Sequence, residues 1–172
     1  MVTTSAELLA DACGRVQGTV HRVLDGLSDE QLTARLEPRA NPIGWLVWHL
    51  TRVQDDHVAD VAGTEQVWTA HRWADRFGLP YDAGAIGYGQ SSAEVGEFGG
   101  VSADQLAGYY DDVHAATVEF VRGLSDSDLD RVVDTSWDPP VTLAVRLVSV
   151  ISDDLQHVGQ AAFVRGILER RR

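Results

Sequence analysis

The chain has 172 residues, enough for one domain whose hydrophobic core needs no disulfide bonds. Hydrophobic residues make up 44% of it, which is ordinary for a globular protein, but the net charge is −12 and all 14 basic side chains are arginines. Nucleic acids and anionic membrane surfaces are bound by clustered cations, so this charge argues against both kinds of partner.

Cysteine content and the first residues indicate where the protein acts. Cys13 is the sole cysteine, which excludes an internal disulfide bond and a metal site built from several thiolates. The first residues lack the basic region and apolar run of a signal peptide, and no apolar stretch approaches the roughly 20 residues that span a bilayer. We therefore expect a single cytoplasmic domain covering residues 1–172.

Two long helices are predicted in the first part of the chain. The first carries an apolar stripe with gaps of three and four residues, formed by Leu9, Cys13, Val16, Val20, Val23 and Leu27. Ser28 and Gln31 then form a capping-box pattern that begins a short helical turn. The second long helix begins at Asn41-Pro42, with Asn41 as its N-cap, and ends near Gly63. A shorter amphipathic segment follows over residues 64–77.

The composition changes between residues 78 and 100, where seven glycines occur and no apolar periodicity survives. This pattern predicts a long loop, and a loop of this length in a small domain is often functional. The fragment Gly87-Tyr88-Gly89 is not a nucleotide-binding turn, because no strand precedes it and no helix follows it at the required spacing.

The remainder of the chain contains two further helices. The third keeps a strict alternation of four and three residues through Leu106, Tyr110, Val113, Thr117, Phe120 and Leu124. The fourth begins after Asp138-Pro139-Pro140, at about Val141, and runs to the end of the chain. Four long helices with almost no strand pattern predict an all-α fold, a four-helix bundle in which the long glycine-rich loop joins helices 2 and 3.

A weak internal repeat indicates that the bundle has two related halves. The tripeptide Leu-Ser-Asp at residues 27–29 recurs at 124–126, and Asn41-Pro42 aligns with Asp138-Pro139 at the same offset of 97 residues. Each half then consists of a helix, a capped turn, a loop with proline and a second helix. We predict two helical hairpins related by a pseudo-twofold axis.

The residues best suited to chemistry lie on the second and fourth long helices. Asp153 and His157 are four residues apart, so they lie one above the other on the inward face of the fourth helix. A carboxylate on such a face is costly to bury unless it is paired or bound to a metal. His49, on the second helix, would by itself be interpreted as a core histidine. Together, two histidines and one carboxylate leave coordination positions open, which is typical of catalytic sites, so we predict that His49, Asp153 and His157 bind a divalent metal.

Neighbouring residues leave alternatives open. Asp56 is either an outer partner of this site or a substitute ligand, while His57 is predicted to flank the site. Arg146 shares the inward face of the fourth helix, where it either steers an acidic substrate or forms an ion pair with Asp153 or Asp56.

A glycine inside a helix costs about 1 kcal/mol relative to alanine, so Gly159 predicts the close approach of a neighbouring helix or of a substrate.

Two motifs resemble the DinB-like superfamily, which includes the metal-binding domain of mycothiol-dependent maleylpyruvate isomerases and the bacillithiol transferases. They are Asn-Pro-Ile-Gly-Trp-Leu-Val-Trp-His-Leu at residues 41–50 and Asp-Xaa-Xaa-Xaa-His-Xaa-Gly-Gln at residues 153–160. The resemblance covers essentially the whole chain and implies a four-helix bundle that carries zinc or nickel at one end. It also implies a homodimer, since many members are dimers. The usual metal set there is three histidines; the isomerase branch is similar to this chain in placing a carboxylate at the position of Asp153.

Three functions are compatible with such a site. In the first, the metal binds a low-molecular-weight thiol such as mycothiol and presents its thiolate to an electrophilic substrate, as in an S-transferase or isomerase, with the 78–100 loop covering the site. In the second, the protein is a metal-dependent hydrolase with Asp56 or His57 as general base. In the third, the ion only joins two hairpins of a non-catalytic stress- or damage-response protein. The predicted ligand set accepts zinc, nickel, iron or manganese.

Overall fold

The computed structural model describes residues 3–171, whose regular structure is helical apart from one pair of short strands. In chain order the α-helices are α1 (Ser5–Leu24), α2 (Asp29–Thr33), α3 (Ile43–Ala62), α4 (Val67–Ala70), α5 (Trp73–Phe77), α6 (Ser92–Gly96), α7 (Ala103–Arg122) and α8 (Leu143–Arg170). A 3-10 helix (Asp126–Asp130) and the strands β1 (Val132–Asp134) and β2 (Val141–Thr142) lie between α7 and α8. The predicted all-α class is confirmed.

The long helices α1, α3, α7 and α8 pack around one main hydrophobic core. Helix α3 contacts both α7 and α8, and sixteen of its twenty residues are buried. Helix α1 packs against α7 and α8 as well. Because α3 is enclosed, its polar side chains must find their partners inside the protein. The pseudo-twofold relation between two hairpins stays a prediction.

Side-chain caps begin several helices. Thr4, Ser28 and Ser102 each accept a hydrogen bond from the backbone N–H three residues later, and the Glu or Gln at that position accepts one from the backbone of the cap. The capping box predicted at Ser28 is therefore confirmed.

Helix α3 begins one residue later than predicted. Its N-cap is Pro42 and not Asn41, because Pro42 has an extended backbone (φ −75°, ψ 158°) while its carbonyl accepts the first helical hydrogen bond, from Leu46 N–H. The helix ends where predicted, at Gly63, whose φ of 68° lies in the left-handed region that favours glycine.

Helix α8 also begins later than predicted, at Leu143 instead of about Val141. Val141 and Thr142 form β2, which pairs antiparallel with β1, and the Thr142 side chain caps the helix. Strands this short carry no periodicity in the sequence, so they were not predicted. The hairpin places Asp134 beside the first turns of α8.

The glycine-rich segment 78–100 contains α6 and otherwise neither helix nor strand. Val95 and Phe98 anchor it in the main core. A Cβ on Gly44 of α3 would lie 2.4 Å from the Phe98 ring, so a glycine at this position lets the segment approach α3. No helix among residues 3–171 is long and apolar enough to cross a membrane.

Candidate metal centre

The three predicted ligands meet between α3 and α8. His49, Asp153 and His157 each offer one ligand atom, and these atoms all lie within 4.8 Å of one another. The two imidazole rings meet edge to face with their centroids 4.8 Å apart, and His157 Nε2 is 3.5 Å from Asp153 Oδ1. In the described part of the chain this is the one group of three such side chains that comes so close together.

Hydrogen bonds orient both imidazoles in the same way. His49 Nδ1 donates to the backbone carbonyl of Ile86, in the glycine-rich segment, and His157 Nδ1 is 3.0 Å from Gln160 Oε1, an acceptor one turn later on α8. With the proton on Nδ1, each ring keeps Nε2 free as a metal ligand. Such hydrogen bonds from the distal nitrogen are the usual support of metal-binding histidines.

The surroundings of Asp153 suit a cation. Its Oδ2 atom is buried and has no hydrogen-bond partner among residues 3–171. Burial opposes its ionisation, but the imidazoles of His157, His49 and His57 outweigh this effect and lower the pKa of Asp153. Burial lowers the pKa of His49, whereas the neighbouring carboxylate of Asp153 raises the pKa of His157. Asp153 is thus an anion whose second oxygen lacks a partner, which is the property expected of a metal ligand.

The glycine-rich segment packs directly on His49. Gly87 has a φ of +91°, and a Cβ on it would lie 2.6 Å from His49 Nδ1. Trp45 stacks on the His49 imidazole with the ring centroids 4.7 Å apart. The Nε1 atom of Trp45 donates a hydrogen bond to Gln90, which belongs to the glycine-rich segment. The segment therefore orients His49, although the sequence predicted only that it would cover the site.

Asp56 and His57 lie beside the site without joining the three ligands. Asp56 Oδ1 accepts a hydrogen bond from Gln66 Nε2 at 2.8 Å, so this carboxylate is engaged away from the cluster. His57 is partly buried, with its Nδ1 3.5 Å from Arg146 Nη1. Burial, followed by the charge of Arg146, lowers the pKa of His57. The role of Asp56 as an outer partner of the site stays a prediction.

The ion pair of Arg146 differs from both predicted pairs. Arg146 Nη2 lies 3.0 Å from Asp134 Oδ2 on β1, and no ion pair joins it to Asp153 or Asp56. The reason is the β1–β2 hairpin, which brings an acidic residue to the N-terminal end of α8. Whether Arg146 steers an acidic substrate stays a prediction.

A family model of mycothiol-S-transferases matches residues 8–170, nearly the whole chain. The chain belongs to the mycothiol-S-transferase family. This membership confirms the resemblance drawn from the two sequence motifs. The fold is similar to that in the crystal structure of a conserved protein from Enterococcus faecalis, with a TM-score of 0.89, 24% sequence identity and coverage of 95% of this chain and 96% of that one. Among curated proteins, none matches the chain.

Several supporting groups in this mycothiol-S-transferase family member were not predicted. The Ile86 carbonyl is a backbone group, and no sequence pattern indicates its role. Gly87 lies in a fragment that the sequence singled out, but its contact with His49 depends on the path of the segment.

Asp154 is fully enclosed, and burial, with the nearby charge of Asp153, raises its pKa well above the usual range.

Proposed function

We propose that the protein is a divalent-metal-dependent S-transferase that joins a low-molecular-weight thiol of the mycothiol type to an electrophilic substrate. The observation that carries the proposal is the convergence of His49, Asp153 and His157, with Asp153 Oδ2 buried and unpartnered. Native proteins seldom leave a buried carboxylate oxygen without a partner, and a cation would complete it. Membership of the mycothiol-S-transferase family supports the choice of thiol.

Three side chains would bind the metal ion, and other groups orient these ligands. His49 and His157 would bind the ion through Nε2 and Asp153 through its carboxylate, a set that suits zinc or nickel and also accepts iron or manganese. When bound, such an ion lowers the pKa of a thiol and so supplies a thiolate nucleophile. The Ile86 carbonyl and Gln160 hold the two rings in the required tautomer. Three protein ligands leave a position free for the thiol sulfur.

The alternatives have less support from the same contacts. A hydrolase needs a general base near the metal, but Asp56 is hydrogen-bonded to Gln66 and His57 faces the guanidinium of Arg146. A closed structural site normally uses four protein ligands, and in residues 3–171 only three side chains converge. Both observations favour thiol transfer.

Elemental analysis of the purified protein tests the ligand set. We expect one divalent ion per chain in the wild type and its loss in His49→Ala, Asp153→Ala and His157→Ala. His71→Ala is a matched control, because His71 is exposed and pairs with Asp112 at 2.9 Å. Full metal content in all three ligand variants would overturn the site.

A spectroscopic titration tests the thiol. We expect cobalt-substituted protein to develop a sulfur-to-cobalt charge-transfer band when mycothiol or N-acetylcysteine is added, because a thiolate would occupy the open position. Glycerol at the same concentration serves as the control without sulfur. If neither thiol changes the spectrum while cobalt remains bound, the metal site survives and the proposed transferase function does not.

A further inference from the structure

A groove lies beside the metal centre, between α8 and the loop that joins α2 to α3. It has a volume of about 550 Å³, and we call it the α8 groove. It is lined by residues 36 and 39–41 of the loop, by Leu46 of α3 and by four residues of α8 between Gly159 and Val164.

The α8 groove begins one helical turn from the metal ligands. Leu46 is three residues before His49 on α3, and Gln160 is three residues after His157 on α8. Gln160 also provides the Oε1 atom that lies 3.0 Å from His157 Nδ1. Along α8, the middle of the groove is about six residues, or roughly 9 Å, from the middle of the Asp153–His157 pair. A small molecule that fills the groove would therefore extend to the metal centre.

Gly159 keeps the groove open on the side of α8. The sequence predicted that a neighbouring helix or a substrate approaches this glycine. No atom of residues 3–171 lies within 4 Å of a Cβ added to it, so no neighbouring helix accounts for the glycine. Because Gly159 lines the groove, a side chain at this position would project into it. A glycine weakens a helix interior, and space for a bound molecule explains its use here.

Most of the other lining side chains are apolar. Leu36 and Leu46 lie on one side of the groove and Phe163 and Val164 on the other. Phe163 is 66% exposed, although its ring is large and apolar. Small-molecule sites are typically lined by apolar and aromatic side chains with a few polar groups that orient the ligand. The α8 groove therefore suits a ligand with an apolar body.

The loop adds a positive charge at the edge of this apolar surface. Arg39 is exposed and belongs to none of the arginine ion pairs among residues 3–171. Arg35 Nε donates to Ala40 O at 2.7 Å, and Ser92 Oγ donates to Pro38 O at 3.2 Å, so the backbone on both sides of Arg39 is held in place. A guanidinium in such a position recognises a carboxylate or another planar or tetrahedral anion.

Asn41 offers a second polar group to the groove. The sequence predicted Asn41 as the N-cap of α3, but Pro42 takes that position and the helix has no side-chain cap. The Asn41 amide is thus not used to begin the helix, and it lines the groove together with Arg39.

We propose that the α8 groove binds the electrophilic substrate, and that it selects a molecule with an apolar body and an anionic group held by Arg39. The thiol would be bound through its sulfur at the metal, so the groove one turn away is left for the other reactant. That the ligand is the electrophile rests on the proposed transferase function, whereas its chemical class follows from the groove alone.

Binding of an unreactive probe tests the groove without any chemistry. The probe is para-propylbenzenesulfonate, whose sulfonate is a poor metal ligand, and the neutral comparison is methyl para-propylphenyl sulfone. Amide NMR spectra of the zinc-loaded protein would locate both molecules. We expect both to shift the signals of Arg39, Gly159 and Phe163, with the sulfonate bound about 5- to 10-fold more tightly because only it carries a charge for Arg39.

Two variants with matched controls separate the charge from the space. Arg39→Gln should remove the preference for the sulfonate, whereas Arg72→Gln should retain it, because Arg72 is exposed and pairs with Asp75. Gly159→Leu should weaken binding of both molecules by at least about 10-fold, since its side chain would fill the groove. Gly14→Leu is its control, because Gly14 also lies within a helix and an added Cβ there meets no atom within 4 Å. Leucine favours helices more than glycine does, so both leucine variants should fold.

The outcomes that contradict the groove are equally specific. Absence of probe binding by the wild type, as expected if a second copy of the chain or another protein covers the groove, would overturn the proposal. So would shifts confined to other parts of the protein, or equal affinities in Gly159→Leu and Gly14→Leu.

Kinetics with a reactive pair test the role of the groove in thiol transfer. The electrophiles are para-(bromomethyl)benzenesulfonate and methyl para-(bromomethyl)phenyl sulfone, with mycothiol as the thiol. The thiol sulfur forms a bond to the benzylic carbon as the carbon–bromine bond breaks, bromide leaves with the bonding electrons, and the thiol proton passes to solvent. We expect Arg39→Gln to raise KM for the sulfonate by about 5- to 10-fold, with kcat and KM for the sulfone unchanged.

The same measurements distinguish failure of this proposal from failure of the proposed function. Transfer with equal KM for both electrophiles in the wild type, and undiminished in Gly159→Leu, would overturn the role of the groove and leave the transferase function intact. Absence of transfer with both electrophiles, while the probes bind as expected, would instead overturn the proposed transferase function.

Discussion

Gly87 lies against the imidazole of His49, so close that a Cβ on Gly87 would be 2.6 Å from His49 Nδ1. The neighbouring carbonyl, that of Ile86, accepts the proton of the same nitrogen. Two consecutive residues of an irregular segment therefore determine which nitrogen of His49 faces Asp153 and His157. The segment is thereby part of the metal centre, although it supplies none of the three ligands.

This contact predicts that Gly87→Ala weakens metal binding. The new methyl group would displace the His49 ring or the Ile86 carbonyl, and loss of such support typically costs about 10- to 100-fold in metal affinity. Gly89→Ala is the control, because Gly89 also has a positive φ (+76°) but no atom lies within 4 Å of an added Cβ. Chelator competition with zinc measures both affinities. Equal affinities in the two variants would show that the Gly87 contact is unimportant.

Gln160 should orient His157 in a comparable way. Gln160→Ala removes the acceptor that lies 3.0 Å from His157 Nδ1, and we expect zinc affinity to fall by about 10-fold or more. Gln156→Ala provides the comparison, since within the described residues Gln156 hydrogen-bonds only to Ser152 one turn earlier. Isothermal titration of zinc into the metal-free proteins checks the prediction, which fails if the two variants bind zinc equally well.

The buried ion pair of Arg52 and Asp55 should contribute strongly to the free energy of unfolding. Arg52 is fully buried and donates to Ala85 O, next to Ile86, while Asp55 accepts hydrogen bonds from two backbone N–H groups at the start of α4. Arg52→Gln leaves a buried carboxylate without its cation, and we expect the free energy of unfolding to fall by about 3 to 5 kcal/mol.

Urea denaturation measures this effect against a matched ion pair. Arg72 and Asp75 have the same spacing but are both exposed, so Arg72→Gln should change the free energy of unfolding by less than about 1 kcal/mol. Similar losses in the two variants would contradict the assigned role of Arg52.

Cys13 should be unreactive in the folded protein. Burial, followed by the charge of Asp154, raises the pKa of the Cys13 thiol from 9.0 to about 11. At pH 8 only about 0.1% of the thiol would then be thiolate, the form that reacts with alkylating agents. Mass spectrometry after iodoacetamide treatment should show alkylation in urea but very little in buffer. Rapid alkylation in buffer would contradict this assignment.

The same shift predicts a loss of stability at alkaline pH. Because the pKa of Cys13 is higher in the folded than in the unfolded chain, the folded state holds the thiol proton more tightly. This contribution is complete below about pH 8.5 and is lost as the pH rises towards 11. Cys13→Ala should therefore lose less stability than the wild type over this interval in thermal melts.

Local features of the site could be predicted from the sequence because they depend on helix geometry alone. Asp153 and His157 share a face wherever a helix contains them, since four residues make about one turn. The end of α3 at Gly63 and the cap at Ser28 follow equally from local backbone preferences. Helices α3 and α8 begin one or two residues later than predicted, because the backbone of Pro42 is extended and residues 141–142 form strand β2.

Other features depended on contacts between distant parts of the chain. Arg146 pairs with Asp134 because a hairpin of two short strands folds back onto α8. The sequence indicated that Gly159 needs an explanation, but only the tertiary structure revealed that no atom of residues 3–171 lies within 4 Å of a Cβ added to it.

The sequence by itself determined the class of fold, the three metal-ligand candidates and the helices that carry them, because periodicity and i, i+4 spacing are properties of the chain alone. Only the tertiary structure decided that His49 reaches the Asp153–His157 pair and that the Ile86 carbonyl orients it. Every residue has the same backbone carbonyl group, so the sequence does not indicate which carbonyl will orient His49. That role depends on where the fold places Ile86.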